Sequence, residues 1–248
     1  MKGLLLTILL VIYLLLIVTW AIISVVVMAV VLLFTFPFDK ERKAILALSR
    51  PVARMVYLLS PVWRVKVEGR ERVVPGRRYV ITCNHQSFFD IPLAFFLPVW
   101  KFKFVSKVEV KKIPAIGWIL GMRGDIAIRR GTSGAATAVM TQGAEHLAAG
   151  TSVLLFPEGT RTKNGEVHRY KDGAFRLAAD SGVDILPCVM YGTKGLFKGK
   201  RLQPRRLVIR ILDPIPAERV ASMPAREIAE EVRALTAEAL ADIKQRRK

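Results

Sequence analysis

The chain contains little cysteine, few acidic residues and, over its first segment, almost no charge. Cys83 and Cys188 are the only cysteines among 248 residues, and both lie in apolar runs that predict strands. Two isolated cysteines give neither a disulfide framework nor the paired spacing of a zinc site, so buried reduced thiols are expected. Glycine-rich phosphate loops and other metal-ligand spacings are also absent from the sequence. We therefore expect no metal and no bound cofactor.

The shortage of acidic residues leaves the chain strongly basic. Its 39 Lys and Arg residues against 20 Asp and Glu residues give a formal net charge of +19. Such an excess predicts a polyanionic partner, either nucleic acid or an anionic membrane. A hydrophobic content of 52% and a mean hydropathy of +0.33 are unusual for a soluble nucleic-acid binder, and no nucleic-acid-binding signature is visible. We therefore expect membrane lipids as partners and no nucleic acid, with a non-catalytic basic binding module as the alternative class.

The N-terminal segment lacks charge from Gly3 to Phe38, and it lacks proline and glycine between Leu4 and Phe36. One continuous helix over the uncharged stretch would be roughly 54 Å long, whereas a bilayer core is about 30 Å thick. The stretch is too long for a secretory signal peptide and shows no small-residue cleavage pattern. Three interpretations stay open: a tilted transmembrane helix, a helix lying deep along one leaflet, or a helix that covers another apolar surface of the same protein.

A basic amphipathic segment follows. Asp39 is expected to cap a helix over Lys40–Ser60, which Pro51 should bend or break. One face of this helix is apolar, with Ile45, Leu48, Val52, Met55, Val56 and Leu59, and the other is basic, with Arg42, Lys43, Arg50 and Arg54. This pattern is typical of a membrane surface, although an ordinary helix packed on a core also fits it. We assign residues 1–60 as a membrane anchor and residues 61–248 as the main domain, on the cytoplasmic face of the inner (plasma) membrane by the positive-inside bias.

After Ser60, short β-rich runs alternate with helical stretches. The predicted strands are Val62–Glu68, Arg78–Cys83, Phe102–Ser106, Asp125–Ile128, Ser152–Phe156, Asp184–Met190 and Leu207–Leu212. The predicted helices are Asp90–Leu97, Ile113–Leu120, Ser133–Ala149, Gly173–Asp180 and Pro224–Gln245. This alternation predicts an α/β fold with a mostly parallel mixed sheet flanked by helices, preceded by the membrane-associated two-helix segment.

The most informative polar cluster is Asn84–Asp90, directly after a predicted strand. Ligands of open α/β sheets collect outside the carboxyl ends of strands. A carboxylate bonded to one ring nitrogen of a histidine fixes the tautomer and leaves the other nitrogen as a base. We predict that His85 is a general base and that Asp90 orients it. Such a base activates a substrate hydroxyl directly, whereas a serine hydrolase using Ser87, the third option, would need a nucleophile elbow that is not present.

A second polar cluster, Phe156–Arg161, follows another apolar run. Gly159 permits a turn that a side chain would obstruct. Arg161 can donate two parallel hydrogen bonds to a phosphate, and Glu158 is placed to orient that arginine or the acceptor. The cluster predicts an anion site, although a polar turn with a surface ion pair fits the same residues.

In order and spacing, these clusters resemble the conserved blocks of the glycerolipid acyltransferases of the lysophosphatidic acid acyltransferase type. Asn84–Asp90 matches the family's His-x4-Asp block, and Phe156–Arg161 matches its third block in full. Gly124–Arg130 resembles the second block and Leu186–Val189 resembles the fourth. The resemblance covers most of the chain after Ser60.

The resemblance implies an enzyme of phospholipid biosynthesis that converts lysophosphatidic acid to phosphatidic acid. His85, held by Asp90, would deprotonate the sn-2 hydroxyl for attack on the thioester of acyl-CoA or acyl carrier protein, which is a co-substrate and not a cofactor. Arg161, with Lys107 and Arg130 as helpers, would bind the phosphate of the lysophospholipid acceptor. The residues expected to bind or orient the substrate are Asn84, Glu158, Gly159 and Thr160. Glycerol-3-phosphate or a lyso-aminolipid stays open as another acceptor.

Overall fold

The computed structural model describes residues 2–129, 134–162 and 164–246. Its strands are β1 (Trp63–Glu68), β2 (Tyr79–Cys83), β3 (Phe102–Lys107), β4 (Ile126–Ile128), β5 (Ser152–Leu155), β6 (Asp184–Tyr191) and β7 (Arg205–Ile211). They form one seven-stranded sheet in the order β1-β7-β6-β2-β5-β3-β4. Neighbouring strands are parallel except β6 and β7, which are antiparallel. The mostly parallel mixed sheet confirms the predicted fold class, and the strand ends differ from the predicted ones by two residues at most.

Helices cover both faces of this sheet. They are α1 (Lys2–Thr35), α2 (Lys43–Leu58), α3 (Asp90–Ala94), α4 (Ile116–Arg123), α5 (Gly134–Ala148), α6 (Gly173–Ser181), α7 (Ala217–Ser222) and α8 (Ala225–Gln245). α4 begins three residues later than predicted, because Ile113 precedes Pro114 and a residue before proline avoids the helical region. The sequence did not predict α7, which lies between Pro216 and Pro224 and is too short to show a helical period.

α2 differs from its prediction in two ways. It is continuous across Pro51, so of the predicted bend or break the break is wrong. Its packing against α1, α3 and α4 outweighs the one backbone hydrogen bond that a proline removes. The helix begins at Lys43 and not at Lys40, because Arg42 adopts a left-handed conformation with φ of 56°. Asp39 nevertheless caps the first turn, since its Oδ2 accepts the N–H of Ala44 at 2.8 Å.

The basic side of α2 also departs from a membrane-surface helix. Arg50 Nη1 donates to the carbonyl of Leu97 at 2.8 Å, and its Nη2 donates to the carbonyl of Val99. Arg54 Nε donates to the carbonyl of Phe95 at 2.9 Å. Burial lowers the pKa of Arg50 to about 10, which leaves the guanidinium charged at neutral pH. α2 is therefore packed on the domain through two of its arginines, which is the alternative that the sequence left open.

α1 lies with one face against the domain along much of its length. Tyr13, Ser24 and Met28 are buried. The hydroxyl of Tyr13 donates to the carbonyl of Val56 at 3.0 Å, and Trp20 Nε1 donates to a second carbonyl of α2 at 3.1 Å. The opposite face exposes many large apolar side chains, among them Leu5, Val11, Leu15, Ile22, Val26, Leu33 and Phe34. α1 thus covers an apolar surface of the protein, and by length and composition it is also long and apolar enough to cross a membrane.

The sheet separates two apolar layers. α1 and α2 pack on the layer that contains Trp63 and Phe104, whereas α6 and α8 pack on the other. The end of α8 contacts β6 and β7 on that second face through Leu240 and Ile243. α1 and the end of α8 therefore lie on opposite sides of the sheet. The two cysteines, register partners in β2 and β6, are buried free thiols as predicted.

Candidate active site

Three polar segments meet at the carboxyl edge of the sheet. His85 follows β2, Phe156–Arg161 follows β5, and Lys107 ends β3, and these strands are parallel neighbours in the sheet. A cavity of about 410 Å³ lies at their ends. Its polar lining includes His85, Lys107, Thr160 and Arg161, which the structure therefore brings together as predicted. Arg130 lies outside the described residues.

Asp90 is the anchor of the predicted histidine–aspartate pair. It begins α3 and is fully buried. Its Oδ2 lies 2.8 Å from His85 Nδ1 and accepts the backbone N–H groups of Gln86 and Ser87 at 2.6 and 2.8 Å. Its Oδ1 accepts the hydroxyl of Thr193 at 2.5 Å. Oδ2 already accepts two backbone N–H groups, so it is the acceptor in the contact with His85 as well. Nδ1 of His85 therefore carries the proton, and Nε2 is left with a lone pair.

The ring of His85 packs against Phe156 in addition to its contact with Asp90. It stacks on the ring of Phe156 with centroids 4.1 Å apart and planes 19° apart. Its side chain is 15% exposed, and the residue lines the cavity beside Phe88 and Ile91. A largely buried imidazole with one fixed tautomer and one nitrogen accessible from the cavity has the geometry of a general base.

Glu158 accepts hydrogen bonds from the backbone around the His85–Asp90 pair. Its carboxylate is buried, Oε1 accepts the N–H of His85 at 2.8 Å, and Oε2 accepts the N–H of His168 at 3.2 Å. Burial raises the pKa of Glu158, an effect that these two hydrogen bonds oppose. With both oxygens facing main chain, Glu158 braces the loops after β2 and β5, and the predicted role in orienting Arg161 finds no support in these contacts.

Asn84 contacts the main chain of β6. Its side chain is buried, donates through Nδ2 to the carbonyl of Met190 at 3.0 Å and accepts the N–H of Met190 at 2.7 Å. The side-chain amide thereby extends the pairing of β2 with β6 beyond Cys83. The role of Asn84 in binding or orienting the substrate stays a prediction. Gly159 confirms the predicted turn, with φ of 72° in the left-handed region.

Thr193 is the site residue that the sequence did not reveal. It is buried, stands just after the end of β6, and reaches Asp90 across 103 positions of sequence. The sequence shows only that Thr193 follows a predicted strand, Asp184–Met190. Ser87, the alternative nucleophile, instead gives its N–H to Asp90 and accepts the N–H of Phe89 at 3.3 Å through its hydroxyl.

The cavity combines cationic side chains with apolar walls. Arg161 and Lys107 are exposed cations at its lining. The apolar part of the lining consists of Phe88, Ile91, Phe104, Val105, Val110, Ile113, Leu120 and Phe156. Within the described ranges, no group of three His, Cys, Asp or Glu side chains is close enough to hold a metal ion. The lining suits a molecule with an anionic head and an apolar tail, whose hydroxyl would meet His85.

Comparison with known proteins gives the family. Residues 64–191, just over half of the chain, match the model of the Acyltransferase family. A 1-acyl-sn-glycerol-3-phosphate acyltransferase of Chlamydomonas reinhardtii is 36% identical over 161 residues, which are 63% of this chain and 48% of that protein. The 1-acyl-sn-glycerol-3-phosphate acyltransferase alpha of Homo sapiens is 32% identical over 173 residues, which are 68% of this chain and 61% of that protein. The chain thus spans about half the length of the first of these curated relatives.

A solved structure shares the fold over nearly the whole chain. The crystal structure of the 1-acyl-sn-glycerophosphate acyltransferase PlsC from Thermotoga maritima matches with a TM-score of 0.77 at 27% identity. The match covers 98% of this chain and 96% of that one. By the family model and by this shared fold, the chain belongs to the acyltransferase family.

Proposed function

We propose that this protein transfers an acyl group from a thioester donor to the sn-2 hydroxyl of lysophosphatidic acid and so makes phosphatidic acid. The observation that carries the proposal is the His85–Asp90 pair, which opens onto a cavity with apolar walls and two cations, Lys107 and Arg161. The names of the relatives, which are 1-acyl-sn-glycerol-3-phosphate acyltransferases, support the choice of acceptor.

His85 acts as the general base in the proposed reaction. Nε2 takes the proton of the acceptor hydroxyl while the oxygen attacks the thioester carbonyl carbon, so that a C–O bond forms. Collapse of the tetrahedral intermediate breaks the C–S bond, and the imidazolium returns its proton to the leaving thiolate. Asp90 stabilises the imidazolium and holds the ring in place. A positioned general base contributes about 10²–10⁴-fold to the rate.

Arg161 and Lys107 bind the phosphate of the acceptor. Arg161 supplies a planar fork of donors and Lys107 a flexible point charge, and both are used for phosphate recognition in proteins. Arg130, predicted as a further helper, stays a prediction. The apolar wall of the cavity, with Phe104, Val110 and Leu120 among its residues, holds part of an acyl chain next to His85.

The protein works at the membrane where its lipid substrate resides. The exposed apolar face of α1 supports this association, and we propose the cytoplasmic face of the inner membrane as its location. The donor is a co-substrate, and the reaction as written needs no resident cofactor.

The test is an acyl-transfer assay with purified protein in mixed micelles. Wild-type protein should acylate lysophosphatidic acid, and His85→Ala should lose about 10²–10⁴-fold in kcat while the protein stays folded. A panel with glycerol-3-phosphate and a lyso-aminolipid tests the acceptor, and Arg161→Ala should raise the KM of phosphate-bearing acceptors most. Full activity of a folded His85→Ala variant would refute the mechanism, and no product with any lysophospholipid would refute the function.

A further inference from the structure

α3, the helix that begins with Asp90, is too short to be stable by itself. It has five residues, Asp90–Ala94, and Phe89 at its start gives it no side-chain cap. Fixing the first turn of a helix costs more free energy than its first hydrogen bond returns, so a helix of this length takes its stability from packing. The residues that contact α3 therefore decide where the carboxylate of Asp90 points.

α2 contacts α3 at both of its ends. At the start of α3, the hydroxyl of Tyr57 donates a hydrogen bond to the carbonyl of Phe89, the residue that precedes Asp90. At its end, Arg54 Nε donates to the carbonyl of Phe95 at 2.9 Å. Tyr57 and Arg54 are three positions apart and therefore lie on the same face of α2. One face of α2 thus fixes both ends of the helix that carries Asp90.

The side chain of Tyr57 is buried among aromatic rings. Its ring centroid lies 6.0 Å from that of Phe96, in an edge-on arrangement, and 5.9 Å from that of Trp63. Burial raises the pKa of the Tyr57 hydroxyl well above its usual value, and the nearby carboxylate of Asp90 raises this pKa further. The hydroxyl therefore keeps its proton at neutral pH and remains a hydrogen-bond donor beside the histidine–aspartate pair.

We propose that Tyr57 is a positioning residue for the proposed acyl transfer. Its hydrogen bond to the carbonyl of Phe89 fixes the start of α3, and with it the carboxylate of Asp90 that orients His85. The inference rests on the proposed function. It gives the N-terminal helices a part in the geometry of the active site, in addition to their contact with lipid.

Tyr13 offers a matched control, because an ordinary packing role for Tyr57 predicts a loss of stability alone. Tyr13 is also buried, its hydroxyl donates to the carbonyl of Val56 at 3.0 Å, and its ring lies 5.2 Å from that of Trp63. Tyr13→Phe and Tyr57→Phe therefore each remove one hydroxyl-to-carbonyl hydrogen bond from the same aromatic cluster. Of the two bonds, that of Tyr57 is the one that reaches the segment carrying Asp90.

The kinetic test measures kcat and both KM values of the two variants in mixed micelles, with lysophosphatidic acid and whichever palmitoyl thioester wild type uses as donor. Tyr57→Phe should lower kcat on the order of fivefold and leave both KM values unchanged, because the hydroxyl acts on the base and not on the cations Lys107 and Arg161. Tyr13→Phe should keep the wild-type kcat. An equal fall in kcat in both variants, or a rise in KM alone, would overturn the inference.

Hydrogen exchange of the backbone N–H groups of Gln86 and Ser87, measured without substrates, separates this inference from the proposed function. Both groups donate to Asp90, so they exchange when this segment opens locally. Tyr57→Phe should speed their exchange on the order of fivefold, whereas Tyr13→Phe should leave it at the wild-type rate. Unchanged exchange in Tyr57→Phe would overturn the inference. Faster exchange in that variant, in a protein that acylates no lysophospholipid, would refute the proposed function and leave the positioning of Asp90 by Tyr57 standing.

Discussion

Among single residues, Asp90 is the one on which the geometry of the site depends. Four donors converge on its carboxylate: the ring of His85, two backbone N–H groups and the hydroxyl of Thr193. A buried carboxylate needs such partners in place of water, and these four donors fix its direction. The orientation of His85 is therefore determined by Thr193, just after β6, and by groups in the loop after β2, and not by the histidine–aspartate spacing alone.

Thr193→Val should lower activity without unfolding the protein. Valine keeps the volume of threonine but removes the hydroxyl that donates to Asp90 at 2.5 Å. A hydrogen bond to a charged group contributes about 1.5–3 kcal/mol, so we expect kcat/KM for acyl transfer to fall on the order of tenfold. Thr193→Ser, which restores the hydroxyl, is the control and should recover most of the loss. Wild-type activity of a folded Thr193→Val variant would show that the hydroxyl does not position Asp90.

Lys103 makes the free energy of unfolding depend on pH in the alkaline range. Its side chain is buried in β3, its Nζ donates to the carbonyl of Arg123, and burial lowers its pKa to about 8 from an ordinary value of 10.5. Between these two values the unfolded chain binds more protons than the folded protein, so this residue makes stability rise with pH. The full rise corresponds to about 3 kcal/mol.

Lys103→Met should remove that rise. Unfolding by denaturant in detergent solution is followed from pH 7 to 10.5 in wild type and variant. The free energy of unfolding of wild type should gain on that of the variant as pH increases above about 8, and the difference between them should be constant below that pH. Parallel curves over the whole range would contradict the low pKa of Lys103.

The site residues that sequence reasoning placed correctly are those whose roles are local. His85 and Asp90 are five positions apart, and Arg161 lies in the same turn as Gly159, so their contacts follow from spacing at a strand end. Asn84 contacts Met190 of β6, and Thr193, just after β6, contacts Asp90. Each partner is more than 100 positions away in the sequence. Those contacts form because β6 pairs with β2. The order of strands in a sheet cannot be predicted from the local hydrophobic pattern of each strand.

At the scale of elements, strands were easier to predict than helix ends. The central strands are short apolar runs buried on both faces, and β5 and β2 are buried at every position. The positions at which helices begin and end depend on tertiary contacts, which the local sequence pattern does not show. α2 is continuous through Pro51 because its arginines and apolar face are bound to the domain, a contribution that no local propensity contains.

Arg50→Met should destabilise the protein and leave its membrane binding unchanged. The substitution removes the hydrogen bonds that the charged guanidinium donates to the carbonyls of Leu97 and Val99. These hydrogen bonds contribute about 2 kcal/mol to the free energy of unfolding. The melting temperature should therefore fall, while cosedimentation with anionic vesicles stays at the wild-type level. Lys43→Met, at an exposed position of the same helix, is the control and should leave the melting temperature unchanged. Release from vesicles by Arg50→Met without thermal destabilisation would show that α2 is a membrane-surface helix after all.

At the scale of the whole molecule, the N-terminal helices are part of the packed structure. The predicted boundary after Ser60 separates α1 and α2 from the sheet in sequence, but both helices contribute to the same apolar cluster as Trp63 and Phe104. The buried face of α1 extends from Tyr13 to Met28, about 24 Å of helix. Removal of residues 1–60 would therefore expose one side of the core, and a truncated domain is not expected to be soluble.

This packing leads to a prediction about topology. If α1 crossed the bilayer, the 24 Å or so that it shares with the domain would carry α2, with its charged Arg50 and Arg54, into hydrocarbon, where such groups are costly. We therefore expect α1 to lie along one leaflet with its exposed face in lipid and both ends on the same side. Lys2→Cys and Lys40→Cys, introduced singly, are treated with a membrane-impermeant maleimide in sealed vesicles. The native Cys83 and Cys188 are buried and should not react. Both introduced cysteines should label from one and the same side, whereas labelling from opposite sides would establish a transmembrane helix.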